Sequence, residues 1–261
     1  MNTPDKKSSP APNTLNGYLD RSSPLDINNS GRITSIRGGA RYRHVGVRSV
    51  MWARPSGGRH TRGPVDFEYE TCVVFLLGYP GVGKRTVGSQ LAELVDGVLV
   101  DNQLINIPLL TLFKWDGKSP MPMEIWDRVE PIREAVLGTI EDLAPESNSY
   151  VFTNVLKDDE QDAAHYNRIR SLAHRRGSLF LSVMLDCDVD EQVRRIDNPD
   201  RIARLKGSDP EGYRQHRHAT KLFQPPAEEV VHIDTTEVDP RRNAERIYET
   251  LLNRGLRPQA R

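Results

Sequence analysis

From residue 72 to residue 253 the chain alternates between two hydrophobic rhythms. Short continuous apolar runs fall at 72–77, 98–100, 150–152, 179–185 and 230–233, each bounded by polar or glycine-rich residues. Runs of this length and β-branched content predict buried strands. Between them apolar residues recur three and four apart. Val87, Leu91, Leu94 and Val95 follow the first run, and Ile125, Val129, Ile132, Val136 and Ile140 share one face of a segment at 124–143. That spacing predicts amphipathic helices, with Pro131 set to kink or divide the long one. Further helices are predicted at 161–175, from about Asp190, and at Pro240–Asn253. Strands alternating with helices imply a parallel sheet covered on both faces, hence an α/β fold with five strands in three layers. No internal repeat interrupts the pattern.

Ligands of such sheets sit beyond the carboxyl ends of the strands. The residues just past the runs are polar: Asp101-Asn102, Thr153-Asn154, Asp186 and Asp234-Thr235. The first run is followed by Gly78-Tyr79-Pro80-Gly81-Val82-Gly83-Lys84-Arg85-Thr86. A glycine, four residues, then Gly-Lys between a strand and a helix lets backbone N–H groups turn around nucleotide phosphates, and the Lys84 ammonium reaches their oxygens. The helix that begins there adds its positive dipole end. A plain glycine turn needs no lysine at this point. Ser or Thr commonly follows the lysine and meets Mg²⁺; here Arg85 follows and Thr86 comes one later, which argues against a standard ATPase or GTPase loop.

The formal net charge is zero, but the balance is uneven. Residues 1–65 hold 11 Lys/Arg against 3 Asp/Glu, so the remainder holds 25 against 33 and is acidic, which disfavours nonspecific nucleic-acid binding by its whole surface. Residues 1–68 are rich in Ser, Pro, Gly, Asn and Arg, and read as a disordered basic extension ahead of a domain at 69–256. The arginine-rich stretch at 32–62 is open to three readings: a solvated tail, or sequence upstream of a start at Met51; an arm for RNA or an acidic partner; or, least in keeping with Asp5 and the late arginines, a targeting peptide. Two cysteines, Cys72 and Cys187, fall at or beside strands and read as reduced packing residues of a cytoplasmic protein. No apolar run approaches the roughly 20 residues of a membrane span.

The run Gly-x-Pro-Gly-x-Gly-Lys-x-Thr resembles the adenylate kinase loop, where a non-hydroxyl residue also follows the lysine. With the acid after the second strand, the arginine segment after the fourth and the end strand Val231-His232-Ile233-Asp234-Thr235-Thr236, residues 70–256 resemble the small P-loop kinases: adenylate, shikimate and gluconate kinases and the chloramphenicol phosphotransferase group. The resemblance implies a nucleoside-monophosphate-kinase-like fold, with ATP held by residues 78–86 and Mg²⁺ held largely through water and phosphate near Thr86. A flap between the second strand and the long helix would bind a small acceptor, and a lid after the fourth strand would close over the phosphates.

Within that scheme Asp101 is the candidate general base, or else a helix N-cap. Gln103 stands where shikimate kinase carries a second acid, so shikimate is not expected as substrate. The segment Arg194-Arg195 through Arg201, Arg204 and Lys206 is the lid candidate, with Arg201 and Arg204 as the catalytic pair, or a solvated basic face. Thr153 and Asn154 are candidates for an acceptor hydroxyl or a Mg²⁺-bound water, or else satisfy strand-end backbone groups. Arg128 and Arg133 are candidates for an anionic acceptor, and Trp115 and Trp126 for stacking or packing. Spacings for a motor protein, a zinc site or a serine hydrolase are missing. The expected activity is ATP-dependent transfer of a phosphoryl group to a hydroxyl or phosphate of a small molecule. The alternatives are a regulatory nucleotide binder or slow ATPase, and a nucleic-acid-end or toxin-like kinase whose basic tail holds RNA.

Overall fold

The structure is a computed structural model, and it describes residues 68–119, 121–237 and 239–257. The expected disordered extension and its arginine-rich stretch lie outside the described residues. Five strands form one parallel sheet: β1 (Cys72–Leu77), β2 (Gly97–Asp101), β3 (Ser149–Thr153), β4 (Leu179–Asp186) and β5 (Val230–Asp234), in the order β2-β3-β1-β4-β5. Val74 pairs with Val151 on one side and Leu181 on the other, which puts β1 in the centre.

Every residue of β1 is buried, as its unbroken apolar run requires. Alternate residues serve two cores. Cys72, Val74 and Leu76 face the layer of α1 (Lys84–Leu94) and α8 (Pro240–Asn253), with Leu91, Ile247 and Leu251. Val73, Phe75 and Leu77 face the layer of α3 (Ile125–Asp142) and α4 (Glu160–Arg175), with Leu137, Tyr166 and Ile169. The edge strands β2 and β5 are only partly buried. Cys72 and Cys187 are buried free thiols, and burial pushes Cys72 up to about 12.

The predicted strands and long helices are present, with ends shifted by a residue or two. Of the two outcomes expected at Pro131, a kink or a division, the division does not occur: α3 runs as one helix through it. Pro131 is seven residues into α3, and the helix keeps its apolar face on the core through Val129, Leu137 and Ile140. Beyond β2, Asp101 caps α2 (Asn102–Leu110), which ends in a short 3₁₀ turn at Thr111–Phe113. The segment after β4 folds as α5 (Val189–Ile196), α6 (Pro199–Ala203) and α7 (Pro210–Ala219). The last two begin with proline at the first turn, where its missing donor costs nothing. Among the described residues no helix is long and apolar enough to cross a membrane.

In this strand order the chain leaves β1 for β2 on one side, and after β3 it crosses back past β1 to β4 on the other, so the winding reverses beside β1. The carboxyl end of β1 is therefore the switch point of the sheet, where an open α/β sheet forms its crevice.

Candidate active site

The loop from Gly78 to Gly83 occupies that switch point. Gly78 has φ +136°, and a Cβ there would lie 2.2 Å from the Leu185 carbonyl oxygen, so only glycine fits against β4. Gly83, at φ +89°, starts α1 in the left-handed region. The first turn of α1 has no side-chain cap and no acidic residue, which leaves its N–H groups and dipole for an anion. Two contacts brace the loop from outside. The Gln192 amide donates to the Pro80 carbonyl at 2.7 Å, and the Thr235 hydroxyl, at the end of β5, donates to the Val82 carbonyl at 2.9 Å.

Lys84 folds back over its own loop. Its ammonium donates to the carbonyls of Gly78 (2.6 Å) and Tyr79 (2.8 Å). Burial of the ammonium, helped by the charges of Lys206 and Arg201, lowers it to about 7.

Asp101 is 7% exposed and fully engaged. One carboxylate oxygen accepts from the Thr153 hydroxyl at 2.9 Å and from the Gln103 backbone N–H at 3.4 Å, which makes Asp101 the N-cap of α2. The other lies 3.1 Å from the Lys206 ammonium and 3.1 Å from Nε of Arg85. Burial pushes this carboxyl up, but the Lys206 charge and the hydrogen bonds from Thr153, Lys206 and Gln103 together hold it below the ordinary aspartate value. The arginine in the usual hydroxyl position thus reaches across to the acid that ends β2.

The segment from α6 to α7 lies over this cluster. Lys206 comes from it, and Leu205 just before has φ +49°, with its carbonyl accepting from the Gln103 side chain at 2.8 Å. Arg201 donates from Nε to the Gly207 carbonyl at 2.9 Å and lies over the Tyr213 ring. Arg195, on α5, is held by Glu191 at 2.6 Å and by the Thr235 carbonyl at 2.7 Å.

Two clefts meet here. The loop cleft, about 440 Å³, is lined by Gly81, Gly83, Lys84, Arg85, Thr86, Arg195, Arg201, Arg204 and Lys206, with Asn198 and Asp200. The flap cleft, about 250 Å³, is lined by Asp101, Asn102, Gln103, Asn106, Trp115, Trp126, Thr153, Asn154 and Tyr213, among others. Lys84, Arg201 and Lys206 line both and mark the boundary. One cleft is strongly cationic; the other carries a carboxylate, amides and aromatic rings.

The structure gathers Lys84, Arg85, Thr86, Asp101, Thr153, Asn154, Arg201 and Arg204 around these clefts. Arg204 is the C-cap of α6, which ends at Ala203, and of the two clefts it lines the loop cleft alone. Arg128 is placed elsewhere: it is exposed on α3 and lines neither cleft. Arg133 pairs with Glu130 on its own helix. Asp186 accepts from Arg217 at 2.8 Å, and Asp234 from the backbone N–H of Thr236 at 2.8 Å; neither lines the two clefts. Arg195 and Lys206 belong to the basic segment read from sequence, but nothing in their spacing marks Lys206 as the residue that lines both clefts while Arg195 and Arg204 line one. Asn106 carried no sequence signal beyond its place in α2.

No family model and no curated protein matches the sequence. Solved structures do match the fold. A sugar kinase from Janibacter sp. HTCC2649 is 18% identical, with 69% of this chain and 94% of that one covered and a TM-score of 0.50. A provisional kinase from Chloroflexus aurantiacus j-10-fl is 16% identical, with 71% and 98% covered and a TM-score of 0.51. A gluconokinase from Sinorhizobium meliloti 1021 is 18% identical, with 72% and 98% covered and a TM-score of 0.47. Residues 72–253 therefore carry the three-layer fold of the P-loop small-molecule kinases, with its five-stranded parallel sheet.

Proposed function

We propose that this protein is an ATP-dependent phosphotransferase acting on a hydroxyl of a small acceptor. The observation that carries the reading is the meeting of a cationic cleft and a carboxylate-bearing cleft at Lys84, Arg201 and Lys206. Phosphoryl transfer needs little covalent chemistry from the protein; it needs an in-line arrangement and positive charge on the equatorial oxygens. The glycine loop and the α1 N-terminus take the phosphate chain. Lys84 leaves its two carbonyls for the phosphates, and Arg201 and Lys206 face the group in transit. Asp101 accepts a hydrogen bond from the acceptor hydroxyl and takes its proton late, as the new phosphorus–oxygen bond forms. A carboxylate held below its ordinary pKa suits orientation better than early deprotonation. The segment 199–219 closes the top and excludes water.

The cradle fits phosphates: its glycines sit where a Cβ would collide or strain the backbone, and its lining is cationic. Mg²⁺ fits as a passenger on the nucleotide. Among the described residues no cluster of three or more His, Cys, Asp or Glu side chains could hold a metal, and Thr86 is the hydroxyl lining the loop cleft. When bound, the ion neutralises phosphate charge.

A second reading, a nucleotide-binding regulator or slow ATPase, is favoured by the clamp on Asp101, which leaves the carboxylate no free partner site unless the lid shifts. Phosphorus NMR separates the two. The protein is incubated with Mg²⁺-ATP and pooled metabolites, beside Lys84→Ala and Asp101→Asn. A new phosphoester signal absent from both variants supports the kinase. Free phosphate alone, lost in Lys84→Ala and kept in Asp101→Asn, rejects it in favour of the regulator.

A further inference from the structure

We infer that the flap cleft selects an uncharged, hydroxylated single-ring acceptor, a sugar or cyclitol in size and polarity, with Asn106 and Trp126 as its specificity residues. The inference rests on reading that cleft as the acceptor site.

Charge comes first. The cleft's charged lining residues are Lys84, Asp101, Arg201 and Lys206. Each is engaged: Lys84 on loop carbonyls, Lys206 on Asp101, and Arg201 on the Gly207 carbonyl and the Tyr213 ring. The three cations also line the loop cleft, where nucleotide phosphates would draw them. Every other lining residue is uncharged. With a nucleotide in the loop cleft, an acceptor bearing a carboxylate or phosphate of its own would have to compete with the nucleotide phosphates for these three cations, or lie in the cleft unpaired at a desolvation cost.

The polar atoms narrow the choice further. Gln103 spends its amide on Leu205, Asn154 accepts from its neighbour Val155, and the Trp115 indole N–H donates to Ser119. Asn106 is different. It is 6% exposed, lines the cleft, and its side-chain oxygen has no hydrogen-bond partner. A buried acceptor left unpaired is costly, so a ligand O–H or N–H completes it. Trp115 and Trp126 add flat apolar faces that suit the C–H face of a ring. The volume, about 250 Å³, falls below the range of roughly 300–1,000 Å³ for drug-sized ligands.

The test is a tryptophan-fluorescence titration of the full chain with the loop cleft filled by a saturating, non-hydrolysable ATP analogue and Mg²⁺. Glucose and myo-inositol form one arm, uridine and adenosine a second, and gluconate, shikimate and AMP a third. Saturable binding in the first arm, at least tenfold tighter than in the third, is expected. Tighter binding in the nucleoside arm, a preference for the anions, or no saturable response to glucose or myo-inositol overturns the inference. Asn106→Leu should weaken binding at least tenfold while the thermal midpoint holds or rises, since an unpaired buried oxygen is removed. A fall in midpoint with binding unchanged would make Asn106 structural and overturn its role. Trp126 is 40% exposed, so Trp126→Ala keeps the fold, and binding that survives it intact overturns the stacking face. Phosphorus NMR on the same acceptors, with Mg²⁺-ATP in place of the analogue, keeps the two readings apart. Binding without a phosphoester leaves this inference standing and removes the kinase; a phosphoester formed on gluconate or AMP alone keeps the kinase and removes this inference.

Discussion

Under the proposed function, the lowered lysine makes ATP binding a proton-uptake reaction. In the free protein the Lys84 ammonium, at about 7, is half neutral at neutral pH. Phosphate oxygens within about 4–6 Å favour the charged form and return it toward the ordinary lysine value near 10.4. The number of protons taken up follows from the difference in occupancy. One unit above its pKa a base is protonated in about a tenth of molecules, so at pH 8 the complex must gain about 0.9 proton. At pH 7 the gain falls to about 0.5, and at pH 6 to about 0.1. The sign is fixed: above pH 7 the affinity for ATP should drop by nearly tenfold per pH unit, until the pKa of the complex is reached. Calorimetric titration at pH 8 in two buffers of different ionisation enthalpy reads the uptake directly. At that pH the terminal phosphate, with a second pKa near 6, is already ionised and adds little. Lys84→Met should abolish the uptake. An uptake near zero at pH 8 in the unaltered protein would show instead that the ammonium is already charged before the nucleotide arrives.

Four further outcomes are expected. Asp101→Asn should lower kcat by about 10²–10⁴, the usual weight of a positioned acid–base group, and cost about 1–3 kcal/mol through the strained hydrogen-bond set left on Lys206 and Thr153; steady-state kinetics and urea melts check both. Because Asp101 is held below its ordinary pKa, its contribution to stability is present above about pH 4 and is lost as pH falls further, so the unaltered protein and Asp101→Asn should converge in acid melts. Arg85→Ser should change stability by less than about 1 kcal/mol, since this arginine is half exposed and surface ion pairs contribute little; a larger loss in thermal scans would show that the pair with Asp101 is structural. Gly78→Ala should destabilise far more than Gly177→Ala. The second meets nothing within 4 Å and bears only the left-handed backbone cost of about 1–2 kcal/mol, whereas the first collides with the Leu185 carbonyl; equal midpoints would contradict the tight loop.

The central frame could be read from the sequence because its signals are local. The apolar run, three glycines and lysine of β1 and its loop are contiguous, and the final strand and helix carry their own Asp-Thr and Asp-Pro punctuation. The clamp on Asp101 could not be read. Lys206 is 105 residues away, and Arg85 lies across the β1–β2 crossover; no periodicity encodes which cation reaches which acid. The basic segment was visible as charge, but its division into α6 and α7 depends on Asn198-Pro199 and Asp209-Pro210, helix starts that the run of arginines obscures. Leu205 adopts φ +49° without glycine, so the turn that aims Lys206 at Asp101 left no residue signature. Arg128 shows the opposite failure: a basic residue near the flap in sequence that α3 turns to solvent.

The central place of β1 has a consequence for how this protein breathes. Its amides are locked between β3 and β4 and under both cores, so they should exchange with deuterated water only when the whole domain opens. The loop that follows Leu77 hangs from that slowest element. Tyr213 rides on α7 and Lys206 on the link between α6 and α7, two short helices with no buried residue of their own, and the amides of those helices should exchange orders of magnitude sooner. One wall of the site is thus anchored to the least mobile part of the molecule while the opposite wall should open on its own, which under the proposed function would let substrates enter and products leave without disturbing the phosphate cradle.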